Sequence, residues 1–215
     1  MKIKWFGQSC FLLTSGDGTK LLMDPFKSDS HLNYKQVNEK VDLVTVSHEH
    51  ADHNYTDALP GKPEIVKGSA DKSVKGVKVR GINVLHDDEG GKKLGVNTVF
   101  CVVMDGIRVC HLGDLGHRLS EKQLDSIGKV DVLLIPVGSV FTIDVEAANA
   151  ICGDIKPRIA IPMHYKTDRC QFLQWSAEDF AKGKSKVRRI AGSEVEVINN
   201  SLPAEFEVVV LQYAD

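Results

Sequence analysis

Two kinds of apolar patterning alternate along the chain. Residues 40–48 (KVDLVTVSH) and 129–138 (KVDVLLIPVG) carry continuous apolar runs. A strand with one solvated face would alternate polar and apolar positions, so both faces of these strands are expected to be covered, with helices as the cover. Ahead of each run lies a hairpin pattern. FLLTSGDGTKLLMD (11–24) and FCVVMDGIRVCHLGD (100–114) each set an Asp-Gly turn between two apolar segments. Gly18 and Gly106 lie 88 residues apart, and the two apolar runs are offset by 89. Two matches at nearly one lag predict two similar halves, each a hairpin followed by a buried strand.

Three helices are expected in the second half. LSEKQLDSIG (119–128) begins with Ser120 as a cap and stops at Gly128. TIDVEAANAICGD (142–154) places Ile143, Ala147, Ala150 and Ile151 at helical spacing, with a glycine near its end. A third helix lies around AEDFAKG (177–183). The tail segments EVEVI and EFEVVVLQY return to alternation and predict two final, half-exposed strands. Strands first, then strands alternating with helices, describes an α/β protein of sheets sandwiched by helices.

Bulk composition narrows the function classes. At 215 residues, one core can absorb the chain, so a single domain spanning 1–215 is expected. With 42% hydrophobic residues, 26% charged residues and a formal net charge of −2, the chain lacks the basic excess of a nucleic-acid binder. No apolar run approaches the roughly 20 residues needed to cross a bilayer, and the N-terminus has no signal-peptide pattern. A cytoplasmic location follows as an expectation. The five cysteines (Cys10, Cys101, Cys110, Cys152, Cys170) form no C-x-x-C pair and are odd in number, so they read as buried free thiols. The basic positions Lys182, Lys184, Lys186, Arg188 and Arg189 read as a solvated loop, Trp5 and Trp175 as core or cover, and His31 carries no argument for function.

One stretch stands apart: SHEHADHNYTDAL (47–59) packs three histidines and an aspartate into six positions just after a buried strand. Imidazole and carboxylate suit zinc, manganese and iron. His48 and His50, two apart on extended backbone, project to one side. Asp52 and His53 are adjacent and point together only if the backbone turns, which a helix starting in NYTDAL would provide. One segment could then serve two neighbouring ions, but four side chains cannot complete two coordination shells. Other strand ends offer three more donors: His86 before an acidic, Gly-rich loop, Asp114 in a Gly-Asp turn, and His164 after a short strand and a proline. Each alone reads as a polar residue at a strand terminus; together they make up what a two-metal site lacks. His111, three residues before Asp114, reads as structural.

These motifs resemble those of metallo-β-lactamase-fold hydrolases. The H-x-H-x-D-H element after a buried strand is the hallmark of that superfamily. K-I-x-W-x-G-x-S-x-F-L at the N-terminus, Asp24-Pro25, H-x-G-D-x-G at 111–116, I-P-V-G-x-x-F-T-I-D at 135–144 and I-P-M-H-Y at 161–165 resemble its small single-domain branch, related to L-ascorbate-6-phosphate lactonase. The likeness covers residues 2 to about 167.

The resemblance implies a four-layer αβ/βα sandwich with the site at one edge. It also implies two divalent metal ions, zinc foremost, with manganese, iron or nickel also suited. His48, His50 and His86 would hold one ion and Asp52, His53 and His164 the other, with Asp114 bridging. Asp24 would steady the histidine loop from behind by hydrogen bonds. Asp52 and Asp114 are the expected catalytic carboxylates, while His117 and Tyr165, flanking ligand positions, are candidates for substrate contact. Such a centre suits hydrolysis of a phosphodiester, phospho-lactone or ester in a small anionic substrate, in a protein that could form homo-oligomers as relatives do. Ser139-Val140 departs from the pattern, since relatives commonly carry a second glycine there, and this loop borders the expected cleft. Two alternatives stay open: a metal-binding sensory module without turnover, and a di-iron redox protein. Against the latter, Glu49 sits beside a ligand position rather than in it, and the chain has no room for a flavin module.

Overall fold

Both Asp-Gly turns close antiparallel hairpins in the computed structural model, which describes residues 1–215. In chain order the first strands are β1 (Lys2–Gly7), β2 (Cys10–Thr14), β3 (Lys20–Met23), β4 (Leu43–Val46), β5 (Glu64–Lys67), β6 (Ala70–Val74) and β7 (Val77–Leu85). Then come β8 (Val96–Met104), β9 (Ile107–His111), helix α1 (Glu121–Ile127), β10 (Val132–Pro136), helix α2 (Val145–Ile155) and β11 (Ile159–Met163). Helix α3 (Ala177–Ala181), β12 (Val187–Arg189), β13 (Glu194–Glu196) and β14 (Glu207–Val210) complete the chain.

The strands form two sheets, ordered β13-β1-β2-β3-β4-β5 and β12-β14-β11-β10-β9-β8-β7-β6. Their inner parts repeat one another. β1, β2 and β3 are antiparallel, with β4 and β5 parallel to β3. β7, β8 and β9 are likewise antiparallel, with β10 and β11 parallel to β9. Even the register repeats: Leu21 faces Leu43 in the first half and Val109 faces Val132 in the second. The offsets of 88 and 89 residues read from the turns and apolar runs are thus the offsets of the two halves.

A large core lies between the sheets, built on Ile3, Trp5, Phe11, Leu13, Phe100, Val109 and Leu133 among others. Trp5 is fully buried in it, as expected, and Trp175 is half-buried cover. β10 is buried at every position, and α1 and α3 pack on β7 and β11. α1 starts and stops where the sequence predicts, with Ser120 and Gln123 forming a reciprocal capping box and Gly128 ending the helix. α2 runs past Gly153 and ends at Lys156 in the left-handed conformation, because Pro157 cannot continue it.

Three local expectations are corrected. The outer face of the first sheet is covered by irregular chain rather than by helices. Phe26, Leu32, Tyr34, Val37 and Val41 pack there against Leu12, Leu22, Val44 and Val46. The apolar positions in that segment lack a 3.6-residue period, so no helix face exists to bury. Second, residues 54–59 make short turns instead of starting a helix: Tyr55 N–H donates to Pro25 O, and Pro60 closes the segment. Six residues ahead of a proline are too few to repay helix nucleation. Third, the basic run is solvated as expected but is not loop throughout. It contains edge strand β12, whose Arg188 pairs with Glu207 and whose Arg189 pairs with Glu178, while Lys186 pairs with Glu205. All five cysteines are free and four are buried. No helix is long and apolar enough to cross a membrane.

Candidate metal centre

β1, β3 and β4 of the first sheet end at one rim, as do β7, β9 and β11 of the second. Every donor singled out in the sequence follows one of these strand ends. His48, His50, Asp52 and His53 come from the loop after β4, His86 follows β7, Asp114 follows β9, and His164 follows β11. The rim therefore gathers residues up to 116 positions apart, from His48 to His164.

Two groups of donor atoms result: His48, His50 and His86, and Asp52, His53, Asp114 and His164, with the ligand atoms of each group within 4.8 Å of one another. Asp114 Oδ2 lies between them. It is 3.1 Å from His53 Nε2 and 3.2 Å from His164 Nε2 on one side, and 3.5 Å from His86 Nε2 and 4.0 Å from His48 Nε2 on the other. Asp52 Oδ2 is 3.3 Å from His53 Nε2. The turn needed to bring Asp52 and His53 together comes from His53 N–H and Asn54 N–H donating back to His50 O, one tight turn without a helix.

The imidazoles are oriented from behind. Asp24, fully buried, accepts His53 Nδ1–H at 2.8 Å and the backbone N–H of Ser47 at 2.8 Å. Ser47 Oγ donates to Asp24 and accepts from His48 Nδ1 at 2.9 Å. These bonds turn the Nε2 atoms inward, that of His53 toward Asp114 and that of His48 onto His50 Nδ1 at 3.0 Å. Asp24 and His164 both follow a strand at positive φ, 46° and 48°. Such backbone is uncommon for non-glycine residues and gathers at functional sites.

Burial dominates the electrostatics. It pushes the His48 imidazole down to about 3, aided by His53, and it lowers His86 as well. Both rings are therefore neutral, with lone pairs available. Burial opposes ionisation of Asp114 and Asp52, yet the neighbouring imidazoles, His164 and His53 for Asp114 and His53 for Asp52, hold both carboxyls below the usual range. Burial also opposes charge on His53, but Asp114 and Asp52 outweigh it and raise this group. The pocket thus draws positive charge to its centre. His53 Nε2, His86 Nδ1 and His164 Nδ1 are buried without a hydrogen-bond partner. Buried polar atoms left unpaired are costly and rare, and a cation beside Asp114 would meet His53 Nε2; the Nδ1 atoms of His86 and His164 lie on the far side of rings whose Nε2 faces Asp114. The donor set fits a metal site of N/O ligands.

Several supporting residues carried no signal in the patterning. Gln8, at φ 48° in the β1–β2 turn, donates from Nε2 to Asp52 Oδ2 at 2.9 Å and accepts His164 N–H on its carbonyl at 3.0 Å. Ser9 Oγ approaches Asp114 Oδ1 at 3.4 Å. Asn97 Oδ1 accepts the N–H of Asp114, and its Nδ2 donates to Leu112 O. Gly113, at φ 55°, packs so close to Asn97 and Ser47 that a Cβ would stand 2.3 Å from Asn97 Oδ1. Asp87 gathers the N–H groups of Glu89, Gly91, Lys93 and Leu94, shaping the loop after His86. A buried Gln-Ser pair between apolar strands was the one hint available for the first two.

His117 and Tyr165 are not placed as substrate contacts. His117 accepts Leu85 N–H on Nε2 and bonds Arg118 O through Nδ1, so both ring nitrogens serve the backbone. Tyr165 is buried against Trp5, ring centroids 5.0 Å apart, with its hydroxyl toward Leu211 O. His111 is fully buried and bonded to Ser9 O and Gly113 N–H, in keeping with a structural role. Glu49 is exposed and pairs with Lys67 at 2.8 Å. His31 is exposed at a cleft beside Asp52.

The family model for the beta-lactamase superfamily domain matches residues 2–164. A UPF0173 protein of Pyrococcus furiosus is 35% identical over 216 residues, covering 87% of this chain and 92% of the relative. A UPF0173 metal-dependent hydrolase of Archaeoglobus fulgidus is 30% identical over 233 residues, covering 92% and 95%. Among solved structures, a Thermotoga maritima protein described as a Zn-dependent hydrolase of the metallo-beta-lactamase superfamily shares 36% identity and a TM-score of 0.84 over 99% of both chains. The chain belongs to the beta-lactamase superfamily domain family and is an enzyme of its metal-dependent hydrolase branch.

Proposed function

We propose that the enzyme hydrolyses a small anionic substrate, a phosphodiester, phospho-lactone or ester, at a dinuclear centre. His48, His50 and His86 would hold one divalent cation, and Asp52, His53 and His164 the other, with Asp114 shared. Zinc fits this mixed imidazole–carboxylate set best, and manganese, iron and nickel also suit it. The single observation that carries the reading is the position of Asp114 Oδ2, within 3.1–4.0 Å of four imidazole Nε2 atoms drawn from both groups. Cations so bound acidify water and act as Lewis acids toward the oxygen that gains charge.

The chain's own residues supply the rest. Asp52 is half-buried and held by Gln8, so its carboxylate stands at the opening where it can take a proton from water and return it to the leaving group. Asp24 and Ser47 keep His48 and His53 in register without touching substrate. Two divalent charges against two carboxylates leave the centre positive, which favours an anionic electrophile. A cytoplasmic location and a small-molecule substrate complete the proposal; the near-neutral charge of −2 supports the second, since a nucleic-acid binder would carry a basic excess.

The test is metal content measured alongside hydrolysis of generic phosphodiesters, lactones and thioesters. Two metal equivalents per chain with turnover of one class is the expected result. Stoichiometric metal without hydrolysis of any class would overturn the reading in favour of a binding module, and iron with oxygen consumption would overturn it in favour of redox chemistry.

A further inference from the structure

Beside Asp52 the rim opens into a small cleft of about 190 Å³, whose walls include Lys27, His31, Leu32, Asp52 and Phe172. Phe172 is 42% exposed and touches Phe141, itself 45% exposed, edge to face with ring centroids 6.1 Å apart. Next to Phe141, Val140 is 54% exposed. Single exposed apolar residues are ordinary, but a contacting aromatic pair is a patch that calls for a partner.

The patch is attached to the donor groups. Gly138 sits so near His164 that a Cβ on it would stand 2.2 Å from His164 O, and Ile143 N–H donates to Leu115 O, the residue after Asp114. The loop between them, with Phe141 near its middle, therefore runs beside the Asp114–His164 side of the site. Gly138 O also accepts from Gln174 N–H and Trp175 N–H, which ties the Phe172 segment to the same point. Ser139 and Val140 have φ of 61° and 70°. A β-branched residue at positive φ is a genuine outlier. On the opposite wall, Lys27 is exposed and pairs with the Tyr55 ring face rather than with a carboxylate. Asp29 also lines the cleft, and its Oδ1 is engaged by the N–H groups of His31 and Leu32.

We infer that this cleft selects substrates in which a compact apolar group, aromatic above all, adjoins the anionic scissile group, with Phe141 and Phe172 holding the ring and Lys27 and His31 the anion. The inference rests on the hydrolase reading above and specifies its substrate class. A volume of about 190 Å³ lies below the usual ~300–1,000 Å³ of drug-sized pockets, so the cleft admits one ring and little more.

Calorimetric titration of metal-loaded protein with phenylphosphonate and methylphosphonate tests it, together with turnover of phenyl- and methyl-bearing phosphodiesters and esters. Phenylphosphonate is expected to bind roughly 10-fold tighter, the scale of burying most of one ring. F141A and F172A each reduce that ratio, and the double variant abolishes it. K27A weakens both phosphonates about 5-fold and leaves the ratio intact, with Lys27→Arg restoring affinity. Because these side chains are exposed, metal content and thermal midpoint of the variants check that folding is unchanged. Equal or undetectable affinities in the wild type, or a ratio that survives in the double variant, overturn the inference. Ring-selective binding without any turnover overturns the hydrolase reading alone, whereas turnover without ring preference overturns this inference alone.

Discussion

Asp24 Oδ2 stands 2.8 Å from His53 Nδ1, at the bottom of the site and out of reach of solvent. The same carboxylate receives the N–H of Ser47, so one buried acid anchors both the loop and its imidazole. Asp24→Ala is expected to weaken metal binding about 10–100-fold, the usual effect of removing the partner of a metal-binding histidine. Competition against a chromogenic chelator measures this. Unchanged affinity would show that the loop holds its geometry without Asp24.

Asp114 belongs to the second donor group, yet its Oδ2 also lies 3.5 Å from His86 Nε2 of the first, the position from which the proposed reading has it serve both ions. Asp114→Ala is expected to lower metal content from two equivalents per chain and to cut kcat/KM by at least ~10³-fold, as loss of a central charge-stabilising group does. Elemental analysis of the purified variant gives the stoichiometry directly. Two full equivalents in the variant would contradict a shared carboxylate.

Chelation should destabilise the fold itself. Each site filled at a hundredfold excess over its Kd contributes about 2.7 kcal/mol. For a chain of this size that corresponds to a fall of ~5–10 °C in Tm per site removed. A thermal scan with and without chelator, followed by metal add-back, checks the size and reversibility of the shift.

Tyr165→Phe separates core from cleft. The hydroxyl faces Leu211 O inside the protein, so its loss should cost no more than ~1 kcal/mol of stability and leave kcat/KM within about 2-fold. A large drop in kcat at unchanged Tm would return Tyr165 to the reaction.

The loop after His86 should be sensitive to acid. Backbone N–H groups, led by that of Leu94, hold the Asp87 carboxyl down at about 2, below the ~3.9 of an unfolded chain. Because the folded value is the lower one, the stabilisation is complete above pH ~3.9 and is lost as pH falls toward 2. Hydrogen exchange of residues 88–94 should accelerate over that window. Asp87→Asn should show fast exchange at neutral pH and a flat profile across the window.

Sequence patterning determined much of this architecture. Asp-Gly turns fix hairpins locally because both residues of the second turn, Asp105 and Gly106, take positive φ, which few other pairs tolerate. Continuous apolar runs mark strands that cannot face water, and caps such as Ser120 mark helix starts, since each signal acts over a few neighbouring residues. The hexapeptide His48–His53 announces a metal for the same reason: so many donors within one turn of chain have little else to do.

What only the tertiary structure decided concerns partners distant in sequence. That Gln8 holds Asp52, that Asn97 holds Asp114, and that Tyr165 turns to Trp5 instead of the cleft depend on how the two sheets meet. The cover of the first sheet followed the same logic: its irregular segment is held by the fit of Phe26 and Tyr34 against that face, not by any helical period of its own. Local patterns report what a segment prefers by itself, whereas the convergence of strand ends at one rim is a property of packing, and packing has no short-range signature.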